Sequence, residues 1–263
     1  MGGNLTVNGY TAIPIDVNRE NAEMLMDFYL VVADAFLTKY QWPLTIDPPF
    51  TGTTPHFFNS TEQLSKVRPT IGDIDIQVFE SNRLWLMDML QDGAKYGKFT
   101  VYGSKGHGTE LSVLIGLNMR QVYQVDFQFV DVPGSDKQRF LHSSSWEDLE
   151  RRFKGAYHKI LLNAIGLDTY KFSISHGLRR RDTGEEIPFE QYADTLFPNA
   201  DPAVNIHSFV GLVDAVSRIE DKKHRFSIYH KFCTHLENTL KNDTAENKYY
   251  AESYFYNHAI KES

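Results

Sequence analysis

The sequence predicts an α/β domain with a mixed sheet over residues 1–140, followed by a mostly helical domain over 141–263. Three observations predict it. The run Ile71-Gly-Asp-Ile-Asp-Ile-Gln-Val78 alternates apolar and polar residues at the two-residue period of a strand. Three more strand-like runs follow, at 99–102, 110–117 and 121–130, with glycines between them. Beyond Pro133-Gly134 the apolar spacing changes to the three-and-four repeat of helices.

Residues 19–39 read as the first helix, with Asn18 as its cap. Met24, Phe28, Val31, Val32, Ala35 and Phe36 form its apolar stripe, and Trp42-Pro43 ends it. A loop rich in Pro and Thr spans 47–55. A short helical segment then runs to about Val67. The paired-aspartate strand covers 71–79. A helix follows at 81–92, with Leu84, Met87 and Leu90 turned inward. Gly103-Ser-Lys-Gly-His-Gly108 fits neither glycine-rich nucleotide fingerprint and reads as a hairpin turn.

In the second half, Ser145-Trp-Glu-Asp148 is a capping box. One long helix is expected behind it, carrying Leu149, Phe153, Ile160, Leu161 and Ala164 and stopped by Gly166. A short strand or hairpin starts at Tyr170. Helices are then expected at 189–196, 205–219, 225–241 and 244–259.

Composition narrows the function. With 263 residues and 41% apolar content, the chain can bury real cores. No apolar run is long enough to span a membrane, and the N-terminus lacks a charged-then-apolar signal peptide. The single cysteine, Cys233, excludes an internal disulfide and an all-cysteine zinc site. It points to a reducing compartment, the cytoplasm, and reads as a buried core thiol. A net charge of −7 argues against a grip on extended nucleic acid, which asks for a basic face. A small nucleotide, a protein or a structured RNA held at few points suits it better.

The chemistry starts from Asp73 and Asp75. Placed two apart on one strand, they share a face while Ile74, Ile76 and Val78 take the other. Crowded carboxylates repel unless something positive sits between them, and a divalent cation is the usual answer. Asp126 lies in the middle of another strand-like run, Gln121–Val130, where propensity and burial both disfavour it. Two readings stay open: it completes a three-carboxylate metal cage, or it faces water with Gln124 and Gln128. Asn59-Ser60 ahead of the strand reads either as a phosphate seat or as a plain helix cap. Arg68 can touch phosphate or balance the carboxylates, or be a surface residue. Lys159 can reach a triphosphate or sit at a core edge.

With these pieces in this order, the chain resembles the polymerase-beta-like nucleotidyltransferase superfamily over about residues 55–130. The matching parts are Phe58-Asn59-Ser60, Ile71-Gly-Asp-Ile-Asp-Ile76 and Val125-Asp126-Phe127. The family's turn is usually Gly-Gly or Gly-Ser, and Asn59-Ser60 departs from it. The resemblance implies a nucleoside triphosphate substrate such as ATP and Mg²⁺ or Mn²⁺ as cofactor. Asp73 and Asp75 would bridge two ions, Asp126 would hold the one beside the acceptor hydroxyl, and pyrophosphate would leave. The acceptor stays unnamed: RNA, a protein or a small molecule. The departure keeps an alternative open, a catalytically idle binding or assembly protein of the same fold, such as a phage or virus accessory factor.

Overall fold

A computed structural model describes residues 5–46, 49–142, 144–198, 204–241 and 243–261. The chain divides into two compact units, 1–143 and 144–263. The fold class is the predicted one: a mixed α/β unit built on a six-stranded sheet, then a mostly helical unit. Positions 47 and 48 of the expected Pro- and Thr-rich loop lie outside the described residues.

The first unit opens with two short strands, β1 (Thr6–Val7) and β2 (Tyr10–Thr11), paired as a ribbon. Next, β3 (Ile15–Asp16) pairs with β5 (Thr70–Ile71). Between them run α1 (Arg19–Tyr40), β4 (Phe50–Thr51), α2 (Thr54–Asn59) and α3 (Thr61–Val67). β6 (Asp73–Phe79) is followed by α4 (Arg83–Met89), β7 (Lys95–Tyr96), β8 (Phe99–His107), β9 (Glu110–Asn118), β10 (Gln121–Val130) and α5 (Asp136–His142). The sheet order is β4-β6-β10-β9-β8-β7. Among the described residues of this sheet only β6 and β10 run parallel; the other pairs are antiparallel. The Gly103–Gly108 run belongs to the β8–β9 hairpin, but the expected turn is shorter: residues 103–107 continue β8, paired with β9, and only Gly108 of the run lies in the turn.

The alternation of β6 and β10 gives the sheet two unlike faces. Ile74, Ile76, Val78, Val125 and Phe127 are buried on one, beneath α1. Phe28 of α1 meets Phe99 edge-on at 5.4 Å, and Tyr29 meets Phe50 at 5.2 Å. Asn18 caps α1 by accepting a hydrogen bond from the Asn21 amide at 2.8 Å. The buried stripe of α1 is Ala22, Leu25, Phe28, Tyr29, Val32 and Phe36, so Val31 from the expected stripe lies exposed. Of the three residues expected inward at 81–92, Leu90 is buried, but Leu84 and Met87 face solvent and Leu86 and Met89 are buried in their place. The interior takes Leu86 and Met89 at one three-residue spacing and leaves Leu84 and Met87 at another, a choice that apolar spacing alone cannot make.

The helical unit comprises α6 (Trp146–Glu150), α7 (Gly155–Ile165), the hairpin of β11 (Tyr170–Ser173) and β12 (Gly177–Arg180), α8 (Tyr192–Leu196), α9 (Phe209–Ser217), α10 (Lys222–Thr239) and α11 (Ala245–Phe255). A π-helical turn, Tyr256–Lys261, ends the described chain. Phe153, Tyr157, Phe209, Phe232 and Phe255 fill its core. Ser145 caps α6 as expected, through the Asp148 amide at 3.1 Å. The single long helix expected behind it is in fact two. Arg152 takes a left-handed φ of 61° and breaks the chain before α7. Lys159 therefore lies on α7, capped at Lys154, not on the helix opened by Ser145. Cys233 lies on α10 as expected but is half-buried.

Candidate active site on the polar face of the sheet

The parallel pairing of β6 and β10 sets Gln124 beside Asp73, Asp126 beside Asp75 and Gln128 beside Gln77. Residues paired in register on adjacent strands share a face. Asp73, Asp75 and Asp126 therefore stand together on the polar side, opposite Ile74, Ile76, Val125 and Phe127. Ser112 of β9 pairs with Asp126, and Glu110 with Gln128, so the acidic patch extends one strand further.

This face is polar yet covered. At one end, Leu5, Val7, Tyr10 and Ala12 pack over Leu114 and Val122. Val7 sits so close to the sheet that a Cβ on Gly103 would lie 2.6 Å from its Cγ1. At the other end, Gly134 donates to Gln77 Oε1 at 2.9 Å, and the Gln77 amide reaches the Gln138 carbonyl at 3.3 Å. Between these covers Asp126 is only 4% exposed, while Asp73 and Asp75 are half-buried.

Burial and mutual repulsion push these carboxyls upward. Asp73 rises to about 7, by burial first and then by the adjacent Asp126 carboxylate. Asp75 is held well above the ordinary carboxylate range by burial, then by Asp73 and Asp126. Glu110 is raised by burial and by Asp126. Among the described residues no Lys or Arg forms an ion pair with any of these four groups.

Glutamine amides take the place of cations. Gln124 Nε2 donates to both oxygens of Asp126, at 2.9 and 3.0 Å. Gln128 Nε2 donates to Asp75 Oδ1 at 2.9 Å. The carboxylates are turned onto these donors. Among the described residues no three His, Cys, Asp or Glu side chains close around a common point as a ready metal cage. The donor set itself suits a hard divalent cation: oxygen-only, anionic and without a competing ammonium or guanidinium.

The turn that meets the carboxylates is Gly52-Thr53-Thr54, between β4 and α2. The Asp75 amide donates to the Thr54 hydroxyl at 2.8 Å. Gly52 has φ 61°, and any Cβ there would overlap Asp75 Oδ2. Arg68 donates to the Thr53 hydroxyl at 3.4 Å. Its guanidinium is half-buried, forms no ion pair among the described residues, and has its pKa lowered by burial. Asn59 and Ser60 sit one helix further on, at the junction of α2 and α3. They line a groove with Asn18, Arg19, Ala22 and Glu23 at the α1 start, and none of the three aspartates lines that groove. Ser60 makes no side-chain cap bond either. The seat expected at Asn59-Ser60 is therefore not the turn against the carboxylates. Sequence reading missed Gly52–Thr54 because β4 has only two residues. Its one signal was a glycine followed by two hydroxyl residues within a Pro/Thr-rich stretch.

No helix among the described residues is long and apolar enough to cross a membrane. No protein-family model matches the chain, and no curated protein matches it. Among solved structures the chain is similar to MenT4, a nucleotidyltransferase toxin from Mycobacterium tuberculosis H37Rv. The identity is 15%, the match covers 88% of each chain, and the TM-score is 0.30. A likeness that loose carries no weight for the chemistry, which rests on the residues of the polar face.

Proposed function

We propose that this chain is a metal-dependent nucleotidyltransferase, moving a nucleoside monophosphate from a nucleoside triphosphate to an acceptor hydroxyl. The observation that carries this reading is the in-register pairing of Asp126 with Asp75, which puts three carboxylates on one sheet face, with no Lys or Arg ion-paired to them among the described residues. Asp73, Asp75 and Asp126 would hold Mg²⁺ or Mn²⁺. When bound, such ions neutralise phosphate charge and polarise both the α-phosphate and the acceptor hydroxyl.

The chain's own groups divide the remaining work. Asp126, beside the Asp73 carboxyl, orients the acceptor oxygen and draws its proton. Arg68 and the Thr53 hydroxyl provide donors for the triphosphate, and glycine at 52 lets it approach the backbone closely. The acceptor oxygen bonds to the α-phosphorus, the bond to the bridging oxygen breaks, and pyrophosphate leaves in line. Lys159, Asn59 and Ser60 stay as proposed phosphate contacts, tested by the same labelling with each residue changed to Ala. A compact acceptor, whether structured RNA, protein or small molecule, suits a chain of net charge −7 better than extended nucleic acid.

The test is incubation with α-labelled nucleotides, Mg²⁺ or Mn²⁺, and candidate acceptors, the protein itself included. Label should appear on an acceptor with the wild-type chain and vanish with Asp73→Ala. One observation favours a second reading, a catalytically idle binding or assembly protein: both Asp126 oxygens are already taken by Gln124. No transfer and no stabilisation by any metal–nucleotide pair would select it.

A further inference from the structure

Three glutamines lie on the polar face, and each is tied at both ends. Gln124 holds Asp126 with its amide nitrogen, and its Oε1 accepts from the Leu5 amide at 3.0 Å. Gln128 holds Asp75 with its nitrogen, and its Oε1 accepts from the Thr51 hydroxyl at 3.0 Å. Gln77 spans two backbone groups, Gln138 and Gly134, and touches no carboxylate. The Leu5 amide can only donate, so it fixes Gln124 with its oxygen outward and its nitrogen on Asp126.

We propose that Gln124 and Gln128 are positioning residues, setting the orientation of Asp126 and Asp75 for divalent-cation binding. This rests on the nucleotidyltransferase reading of the same site. An amide is the right chemistry for the task. Lys or Arg would orient a carboxylate equally well, but would form an ion pair and cancel the negative charge that attracts the cation. Glutamine orients without neutralising. An ionised carboxylate offers about four lone-pair positions, so one amide leaves room for coordination. The far ends matter as much. Gln124 is anchored to the segment that begins the β1–β2 ribbon, and that ribbon is seated on the sheet where Val7 meets Gly103. Gln128 is anchored on β4, one residue before the Gly52 turn. Each strut thus links a carboxylate to an edge of the site.

The test uses the full chain and reads Mn²⁺ affinity by electron paramagnetic resonance, beside the melting temperature and steady-state kinetics. Gln124→Met and Gln128→Met keep side-chain length and remove the donor. Each should weaken Mn²⁺ binding by about tenfold or more, and lower kcat while leaving KM for the nucleotide nearly unchanged. Gln77→Met is the control. It strands two half-buried backbone groups, so it should lower the melting temperature while leaving Mn²⁺ affinity within about twofold of wild type. Wild-type Mn²⁺ affinity in both Gln124→Met and Gln128→Met overturns the proposal alone, and so does an equal loss in Gln77→Met, which would mark all three as structural. Absence of Mn²⁺ binding by the wild-type chain overturns the proposal together with the reading beneath it. Should one variant fail to show a cooperative melt, the other decides, because the two struts share no partner.

Discussion

Asp75 is the residue where stability and chemistry pull apart. Its carboxylate is squeezed by burial and by Asp73 and Asp126, and no Lys or Arg among the described residues forms an ion pair with it. Asp75→Asn keeps an oxygen to accept the Gln128 amide and removes one charge from the cluster. At neutral pH the variant should melt at or above the wild-type temperature, while losing all stabilisation by metal and nucleotide. A large drop in thermal stability would mark the pair as structural instead. Gly52→Ala should do the opposite. Its φ of 61° and the overlap with Asp75 Oδ2 predict a loss of about 1–2 kcal/mol in urea denaturation, together with loss of activity. At this scale Asp73 and Asp75 were legible, because a period of two fixes which residues share a face. The shared face of Asp126 was not, since it depends on strand register. Gly52 was hidden for a related reason: its partner Asp75 is brought to it only by the two-residue pairing of β4 on β6.

Among the elements, α1, β6, β10 and the Ser145 cap follow directly from local pattern, because each carries its own periodicity or its own cap. Where sequence reading failed, the deciding interaction was not local. The phase of α4 is set by what it packs against. The split between α6 and α7 turns on Arg152, an arginine in a conformation that glycine takes at no steric cost. The Arg152 amide still closes the end of α6 on the Leu149 carbonyl at 3.0 Å, and the Phe153 amide returns to the Asp148 carbonyl at 2.7 Å. These are bonds of a helix terminus. Arg152→Gly should therefore stabilise the chain by up to about 1 kcal/mol, by relieving left-handed strain at an exposed site. Arg152→Val, with a branched Cβ, should destabilise it. Both are read by chemical denaturation, and a stabilised valine variant would refute the strain at this turn.

Across the whole molecule, acidification sets buried groups against one another. His158 in α7 is buried, bonded to the Ile206 carbonyl at 2.8 Å, and held down to about 4 by burial. Between about 4 and the ordinary histidine value of 6.5, the unfolded chain binds the extra proton. Its contribution to stability is full above 6.5 and is lost as pH falls through 4. Asp148 is raised to about 6 by burial, against the pull of the Phe209 and Val210 amides that it caps at 3.0 and 3.3 Å. There the folded state binds the extra proton, so its contribution is full below the ordinary carboxylate value of 3.8 and is lost as pH rises through 6. Asp73, raised to about 7, has the same sign as Asp148. The wild-type melting temperature is therefore a poor witness over this range, and differences between variants are a good one. As pH falls from 6.5 to 4, the melting temperature of His158→Gln should rise relative to wild type, because wild type alone loses stability by charging a buried imidazole. Over the same range Asp148→Asn should fall relative to wild type, because it cannot gain from protonation. Two difference curves of opposite slope are the expected result. Two flat ones would mean that neither side chain is buried as described, and two of the same slope would mean that one of the signs is wrong.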